Sequence, residues 1–296
     1  MESTDYNSVD GSWDAIREKE LTGYRNQAYI VLQNALTPTE VEEILSALGE
    51  VIQNENFVKN ADETCRKQSQ GEINLAFGGC HPVLQFENFA KEITDQKERY
   101  QLKNVRKLMG FHKHHPRLQA LAEDPGLQRV IKCMLMEAGC TKEQVNELEV
   151  FQSLALLKPK GGREKPWHQD NSYFNIDGEE VKCAGVWIAL SEVTIENGAM
   201  HCLPGPLNEL KPIPHFSRRD WQICDSETDS KPCVAVPLHP GGALLFSTML
   251  PHGTPTNLGE MQRLAIQFHF EPKGSRRTSD AQRLAEYGGE GVGVSC

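Results

Sequence analysis

Apolar residues between positions 41 and 51 recur every three or four residues, which is the spacing of one helix face. The stripe consists of Val41, Ile44, Leu45, Leu48 and Val51. A helix that buries one face in this way typically lies against a sheet. Thr37, Pro38 and Glu40 supply a capping hydroxyl, a proline at the first helical position and a side chain that returns the capping bond. The pattern predicts an amphipathic scaffold helix.

Capping residues also predict the starts of two further helices. A polar region before them shows no regular pattern. Asp124 and Pro125 predict a second helix that runs to about Met136, and Thr141 with Gln144 predicts the cap of a short third helix. Residues 53–90 are polar, contain several glycines and show no sustained period. We therefore expect long loops there, around one isolated short strand.

From about residue 150 the sequence consists of short runs of β-branched and apolar residues, separated by Gly, Pro and Asn-Gly turns. This pattern is typical of β-strands. Asn197-Gly198 predicts a tight hairpin, because this pair tolerates positive φ. The predicted strands are 150–157, 184–192, 200–203, 233–237, 243–249 and 264–270.

Helices followed by many short strands indicate a mainly β fold with flanking α-helices. We expect a double-stranded β-helix, that is a cupin-like jelly roll, packed against N-terminal helices. No linker of low complexity divides the sequence. We therefore predict a single domain over 1–296, with a core at about 20–275 and a C-terminal tail at 276–296.

Composition narrows the class of protein. The 31 basic and 41 acidic residues give a net charge of −10, which opposes binding to nucleic acid or an anionic membrane. The nine cysteines are scattered without a Cys-x-x-Cys pair, which favours a reducing compartment over a disulfide framework. We see no signal peptide, membrane span or evident peroxisomal signal. The expectation is a cytoplasmic protein with no predicted protein partner.

The most informative chemistry is His168-Gln169-Asp170. In an extended segment the side chains at i and i+2 share a face, so His168 and Asp170 can hold one ion while Gln169 points away. His252, just past an apolar strand, is the candidate third ligand. Two imidazoles and one carboxylate are the ligand set of non-haem Fe(II) oxygenases. A His-x-Asp pair alone is weak, since chance produces it often, and its weight comes from its companions.

Arg263 is one such companion. It opens the last predicted strand, and a hairpin with the segment of His252 would turn it into the same opening, where its guanidinium can bind a carboxylate through two hydrogen bonds. The alternative is an ordinary surface arginine at the head of a strand.

Several motifs occur in an order that resembles the phytanoyl-CoA dioxygenase family. They are Lys165-Pro166-Trp167-His168-Gln169-Asp170, Gly185-Val186-Trp187-Ile188-Ala189-Leu190, Glu196-Asn197-Gly198-Ala199, Leu203-Pro204-Gly205, and then His252, Thr254 and Arg263. The resemblance spans roughly residues 20–275. It implies a double-stranded β-helix, Fe(II), and 2-oxoglutarate and O2 as co-substrates.

Carried over residue by residue, the resemblance implies iron ligands and a co-substrate pocket. The ligands are His168, Asp170 and His252, and Arg263 holds the distal carboxylate of 2-oxoglutarate. Trp187 resembles the tryptophan that walls the co-substrate pocket, and Thr254 its hydroxyl partner. Weaker matches suggest two more co-substrate residues. The first is Lys107, for which Arg106 is the alternative. The second is Leu154, whose alternative role is that of an ordinary core leucine.

The implied reaction hydroxylates an aliphatic carbon of a small-molecule or acyl substrate, with release of succinate and CO2. Because Asp170 supplies a carboxylate ligand, hydroxylation is favoured over halogenation. Pro206-Leu207 replaces the usual Ser-His of the family, which puts the phytanoyl thioester itself in doubt. Two alternatives stay open at this point, a zinc-dependent cupin-like enzyme and a non-catalytic sensor of iron and 2-oxoglutarate.

The segment 208–232 is long for a jelly-roll connection, and we predict that it covers the mouth of the pocket. Arg218 and Arg219 in this segment hint at an anionic substrate. A surface loop whose charges face water is the competing interpretation.

Overall fold

The computed structural model describes residues 2–3, 6–70, 72, 81–176, 182–229 and 231–289. No helix in these ranges is both long enough and apolar enough to cross a membrane. The α-helices of the described ranges are α1 (Glu18–Gln27), α2 (Pro38–Gln53), α3 (Glu55–Ser69), α4 (Gln96–Arg99), α5 (Pro116–Ala122), α6 (Pro125–Glu137) and α7 (Asp280–Tyr287).

The strands of the same ranges fall mostly in the second half of the chain. They are β1 (Glu2–Ser3), β2 (Ser8–Val9), β3 (Tyr29–Leu32), β4 (Val83–Phe86), β5 (Val105–Met109), β6 (Leu148–Lys158), β7 (Lys165–His168), β8 (Ala184–Ala189), β9 (Met200–Cys202), β10 (His215–Ser217), β11 (Trp221–Ile223), β12 (Cys233–Val236), β13 (Ala243–Ser247), β14 (His252–Thr254) and β15 (Arg263–Pro272).

Two sheets form the body of the protein. Among the described residues, the larger sheet has eight strands in the order β2-β3-β13-β8-β15-β6-β5-β4, and the smaller has five in the order β1-β12-β9-β14-β7. The central neighbours in both sheets pair antiparallel. Antiparallel sheets whose neighbours are not consecutive in the chain are typical of a jelly roll, so the predicted fold class is confirmed.

The larger sheet buries both of its faces. On the outer face, helices α2 and α6 share a core with Ile188 and Ile266. On the inner face, Trp187 and Ala265 pack with residues of the smaller sheet. Because neighbouring residues of a strand point to opposite faces, Arg263, Gln267 and His269 lie on the same side as Ala265. These polar residues therefore point into the space between the two sheets.

The helices predicted to begin at Thr37 and at Asp124 form as α2 and α6. Thr37 accepts the backbone N–H of Glu40, whose carboxylate accepts the N–H of Thr37, and Asp124 caps α6 through Leu127. The third predicted helix does not form. Thr141 and Gln144 make their reciprocal hydrogen bonds, but the segment is a turn, because strand β6 begins only four residues further on.

The prediction of long loops at 53–90 is wrong for its first part. Helix α3 occupies Glu55–Ser69, and the predicted isolated strand is β4. The helix was missed because its buried face consists of Phe57, Ala61 and Thr64, which gives a weak apolar stripe in a polar segment. Residues 71 and 73–80 of this segment lie outside the described residues.

The predicted tail contains an ordered helix, α7. Ser279 caps it in a reciprocal arrangement with Gln282. Its inward face carries Arg283 and Tyr287, and Tyr287 packs in a core cluster with Trp221. The described part of the tail is thus attached to the body of the protein, while residues 290–296 lie outside the described residues.

Candidate metal centre

The sheet register brings together the three residues with metal-ligand chemistry. His252 of β14 lies directly opposite His168 of β7, and Asp170 follows β7 at the start of a short 3-10 turn. Their ligand atoms all lie within 4.8 Å of one another. The Nε2 atoms of His168 and His252 are 3.4 Å and 3.7 Å from the carboxylate of Asp170. All three side chains are buried.

Backbone carbonyls fix the orientation of both imidazoles. Nδ1 of His168 lies 2.8 Å from the carbonyl oxygen of Pro166, and Nδ1 of His252 lies 2.9 Å from that of Leu250. A carbonyl oxygen only accepts, so each Nδ1 carries the hydrogen and donates it. Each Nε2 therefore presents its lone pair to the same point, which is the arrangement that a metal-binding histidine needs.

Electrostatics favour the ligating forms of His252 and Asp170. Burial, reinforced by the charge of His168, lowers the pKa of His252 to about 4, so its imidazole is neutral at physiological pH. Burial alone would raise the pKa of Asp170, but the imidazoles of His269 and His252 hold that pKa well below its usual range. Two neutral imidazoles and an ionised carboxylate are the forms that bind a divalent cation.

Three residues outside the triad hold it in place. Oδ2 of Asp170 lies 3.1 Å from Nε2 of Gln267 and 2.8 Å from Nε2 of His269. Nε2 of His215 accepts the backbone N–H of Gln169, between the two ligands of the motif. The side chain of Gln169 points away and donates to the carbonyls of Lys211 and Met249.

These supporting residues were not predicted from the sequence, although the two-residue period of a strand marks two of them. Gln267 and His269 share the strand face of Arg263, because all three stand at alternate positions of β15. No such period marks His215, which comes from the segment 208–232. That segment forms the hairpin of β10 and β11, and its residues Arg219 and Asp220 reach the cavity.

Arg263 is buried beside the triad and has donors that no described residue satisfies. It is 2 % exposed, and its Nε and Nη1 atoms have no hydrogen-bond partner in the described part of the chain. Its guanidinium lies 5.2 Å from the centre of the Trp187 ring, an attractive cation–π geometry. Burial lowers the pKa of Arg263 to about 10, which still leaves it charged. A buried cation with free donors is a binding site for an anion.

Lys158 is a further buried basic residue at this site and was not predicted. It lies opposite Arg263 in the register of β6 and β15. Its Nζ atom donates to Oγ1 of Thr254 at 2.8 Å and to the carbonyl of Pro255 at 2.6 Å. Burial and the charge of Arg263 lower its pKa to about 6. The sequence shows only a lysine before a turn, and the strand register is needed to reveal its position.

A cavity of about 310 Å³ connects these groups. Of the residues predicted for the site, it is lined by His168, Asp170, His252, Arg263, Thr254, Lys107 and Leu154. Lys158 and Arg106 line it as well. Trp187 does not line the cavity, but its ring packs against Arg263, which does.

Comparison with known proteins agrees with this geometry. The chain is 23 % identical to the Danio rerio phytanoyl-CoA dioxygenase domain-containing protein 1, over 87 % of this chain and 90 % of that protein. The fold is similar to that of EvdO2 from Micromonospora carbonacea var. aurantiaca complexed with 2-oxoglutarate. That match has a TM-score of 0.58, 21 % identity and coverage of 93 % of this chain and 96 % of the other.

A second solved structure, EctD from S. alaskensis with bound Fe, has a TM-score of 0.61 and 20 % identity, and covers 89 % of this chain and 79 % of that one. The model of the phytanoyl-CoA dioxygenase family matches residues 24–265, which include the triad, Arg263 and most of both sheets. The chain therefore belongs to the phytanoyl-CoA dioxygenase family.

Proposed function

We propose that this protein is an Fe(II)- and 2-oxoglutarate-dependent dioxygenase that hydroxylates an aliphatic carbon of a small-molecule or acyl substrate. The observation that carries the proposal is one cavity that holds both a His-Asp-His cluster and an unpartnered buried arginine. The first suits a divalent cation and the second suits the far end of a dicarboxylic acid.

The donor set fits Fe(II). His168, Asp170 and His252 would bind it on one side and leave positions for a chelating oxo-acid and O2. When bound, Fe(II) with 2-oxoglutarate and O2 supplies the chemistry that converts a C–H bond to C–OH while 2-oxoglutarate becomes succinate and CO2. The protein residues hold the reactants in place, keep the ligands ionised or neutral as required, and exclude water.

Arg263 would hold the distal carboxylate of 2-oxoglutarate. Its free Nε and Nη1 donors match a carboxylate, and Trp187 supports the guanidinium from behind. Lys107 and Leu154 line the same cavity on strands β5 and β6, and we assign them to the wall of the co-substrate site.

Thr254 and Lys158 would complete this site. Because Lys158 donates to Oγ1 of Thr254, the hydroxyl hydrogen of Thr254 is free to donate to a carboxylate in the cavity. Lys158 is thus a positioning residue that acts through Thr254. Its low pKa keeps a second full charge from building up beside Arg263 before the anion arrives.

Oxygen-dependent release of succinate tests the proposed function. The protein, loaded with Fe(II), is supplied with 2-oxoglutarate and a panel of small-molecule and acyl substrates, and succinate is measured with and without O2. We expect succinate only with iron, oxygen and 2-oxoglutarate together, and none from Asp170→Ala. Activity with Zn²⁺ in the absence of O2 would instead support the zinc enzyme, and 2-oxoglutarate binding without turnover would support the sensor.

A further inference from the structure

The cavity at the triad continues outward into a second one. This outer cavity has a volume of about 330 Å³, and its wall includes Glu87, Arg106, Gly162 and Arg163, which also line the inner cavity. Arg263 and the triad lie on the inner cavity alone. A molecule whose reacting carbon lies near the triad can therefore extend past Arg106 and Arg163 into the outer cavity.

Most cations near the opening are paired with acids of the same chain. Nζ of Lys165 lies 2.8 Å from the carboxylate of Asp220, and Arg219 pairs with Glu164. Arg218, the other arginine that hinted at an anionic substrate, lies 2.7 Å from the carboxylate of Asp225. The two arginines of the segment 208–232 thus already have carboxylate partners, with which an anionic substrate would have to compete.

Arg106 and Arg163 differ from these pairs. Neither guanidinium has a hydrogen bond or an ion pair with another described residue. Burial, reinforced by the charge of Arg163, lowers the pKa of Arg106, as expected for two neighbouring like charges. Glu87 and Asp220 act on Arg106 from a distance, and burial raises the pKa of Glu87. The wall of the outer cavity thus holds three basic residues, Arg106, Lys160 and Arg163, and one acid, Glu87, on a chain with a net charge of −10.

The backbone holds the two guanidiniums at this wall. Arg106 stands on β5, which is paired on both sides by β4 and β6. Arg163 follows a turn that requires glycine at two positions. Gly161 has a φ of +73°, and a Cβ on Gly162 would lie 2.7 Å from the carbonyl oxygen of Pro159. Arg163 is therefore presented by a tight turn rather than by a long loop.

We propose that the outer cavity binds an anionic group of the primary substrate, a carboxylate or a phosphate, between Arg106 and Arg163. The proposal rests on the proposed function and adds the substrate class to it. The rest of the substrate would run inward past the apolar side chains of Leu156 and Met200 toward the triad. Guanidinium groups suit this role because they bind both carboxylate and phosphate through paired hydrogen bonds.

The test titrates the full-length, ¹⁵N-labelled protein without metal, at constant ionic strength, and follows the Nε–H resonances of its arginines. The probes are sodium octanoate, methyl octanoate and inorganic phosphate. We expect octanoate, phosphate or both to shift the resonances of Arg106 and Arg163, and the uncharged ester to leave them in place. A response to octanoate alone would select the carboxylate, and a response to phosphate alone the phosphate.

Variants distinguish specific anion binding at this wall from non-specific electrostatic attraction. The double variant Arg106→Met, Arg163→Met removes both reporting groups, so its affinity is followed through the backbone amide resonances of the outer cavity, and binding of the responding anion should weaken at least tenfold. Arg218→Met removes the same charge from an arginine outside both cavities and should change the affinity less than twofold. Arg163→Glu, at an exposed position, serves as a second variant should the double variant fold poorly, and should also abolish the response.

The proposal fails if no probe shifts these resonances, if the ester shifts them as much as the acid, or if Arg218→Met weakens binding as much as the double variant does. Neither iron nor oxygen is used. A positive titration together with absent succinate release would contradict the proposed reaction while leaving the anion site intact, so the two failures are distinguishable.

Discussion

Two arginines of this protein are equally buried and have opposite surroundings. Arg263 and Arg283 are each 2 % exposed. Arg283 donates to Oδ1 of Asn175 and to the carbonyl of Ser172, both at 2.8 Å, and pairs with Asp280. Nε and Nη1 of Arg263 have no hydrogen-bond partner among the described residues. Burial alone therefore does not mark a binding residue, whereas a buried cation that lines a cavity with unsatisfied donors is a candidate for one.

We expect the largest loss of stability when Arg283, whose side chain is hydrogen-bonded within the protein, is replaced. Arg283→Met should lower the free energy of unfolding by about 3–5 kcal/mol, because the change leaves buried acceptors and a carboxylate without their cation. Urea unfolding measures it. The affinity for 2-oxoglutarate should change less than twofold in protein that remains folded. A large loss of affinity without a loss of stability would remove the distinction between the two arginines.

The unsatisfied arginine should show the reverse pattern. Arg263→Met should weaken 2-oxoglutarate binding by about 2–5 kcal/mol, since the distal carboxylate would lose its paired donors. The free energy of unfolding should not fall, because an uncompensated buried cation is removed. Calorimetric titration of 2-oxoglutarate and urea unfolding of the same preparation give both numbers. A destabilised variant with normal affinity would make Arg263 a structural residue like Arg283.

The lowered pKa of Lys158 predicts a pH dependence of the free energy of unfolding. Its pKa is about 6 in the folded protein, whereas an unfolded lysine titrates near its ordinary value of about 10.4. Between these values the unfolded chain binds more protons, so this residue makes the free energy of unfolding rise with pH, by up to about 1.4 kcal/mol per unit. From pH 7 to 9, wild type should gain stability relative to Lys158→Met.

The matched control for this pH effect is Lys160→Met. Lys160 is exposed and pairs with Glu260 at the surface, so this variant should follow the wild-type pH dependence. Parallel curves for wild type and Lys158→Met between pH 7 and 9 would show that Lys158 is charged in the folded protein.

The smallest expected effect concerns the link between Lys158 and Thr254. Thr254→Val should weaken 2-oxoglutarate binding by about 1 kcal/mol, the usual net value of one hydrogen bond. If Lys158 acts through that hydroxyl, Lys158→Met should cost nothing further in a Thr254→Val background. Additive losses of affinity in the double variant would show that Lys158 acts on the co-substrate independently of Thr254.

The sequence predicted the fold class and the pair His168 and Asp170 because both follow from local periods, whereas His252 was predicted from its place after an apolar strand and from the order of the family motifs. Short β-branched runs indicate strands wherever they occur, and His168-x-Asp170 shares a face in any extended segment. Helix α3 was not predicted because few apolar side chains mark its buried face. Lys158 was not predicted because its position depends on the register of β6 and β15. His215 was not predicted because it reaches the site from a hairpin in a distant segment. Trp187 was placed in the cavity wall, while the structure puts it behind Arg263. A cytoplasmic location and the lack of a protein partner stay predictions.

The central claim is that the His-Asp-His cluster and Arg263 together bind Fe(II) and 2-oxoglutarate. Anaerobic titration of the protein with Fe(II) and then 2-oxoglutarate, followed by visible absorption, tests it most directly. We expect a charge-transfer band that saturates at one equivalent of iron, is lost in His168→Ala, and needs far more 2-oxoglutarate in Arg263→Met. A protein that binds iron without the band, or a band that persists in His168→Ala, would contradict the account.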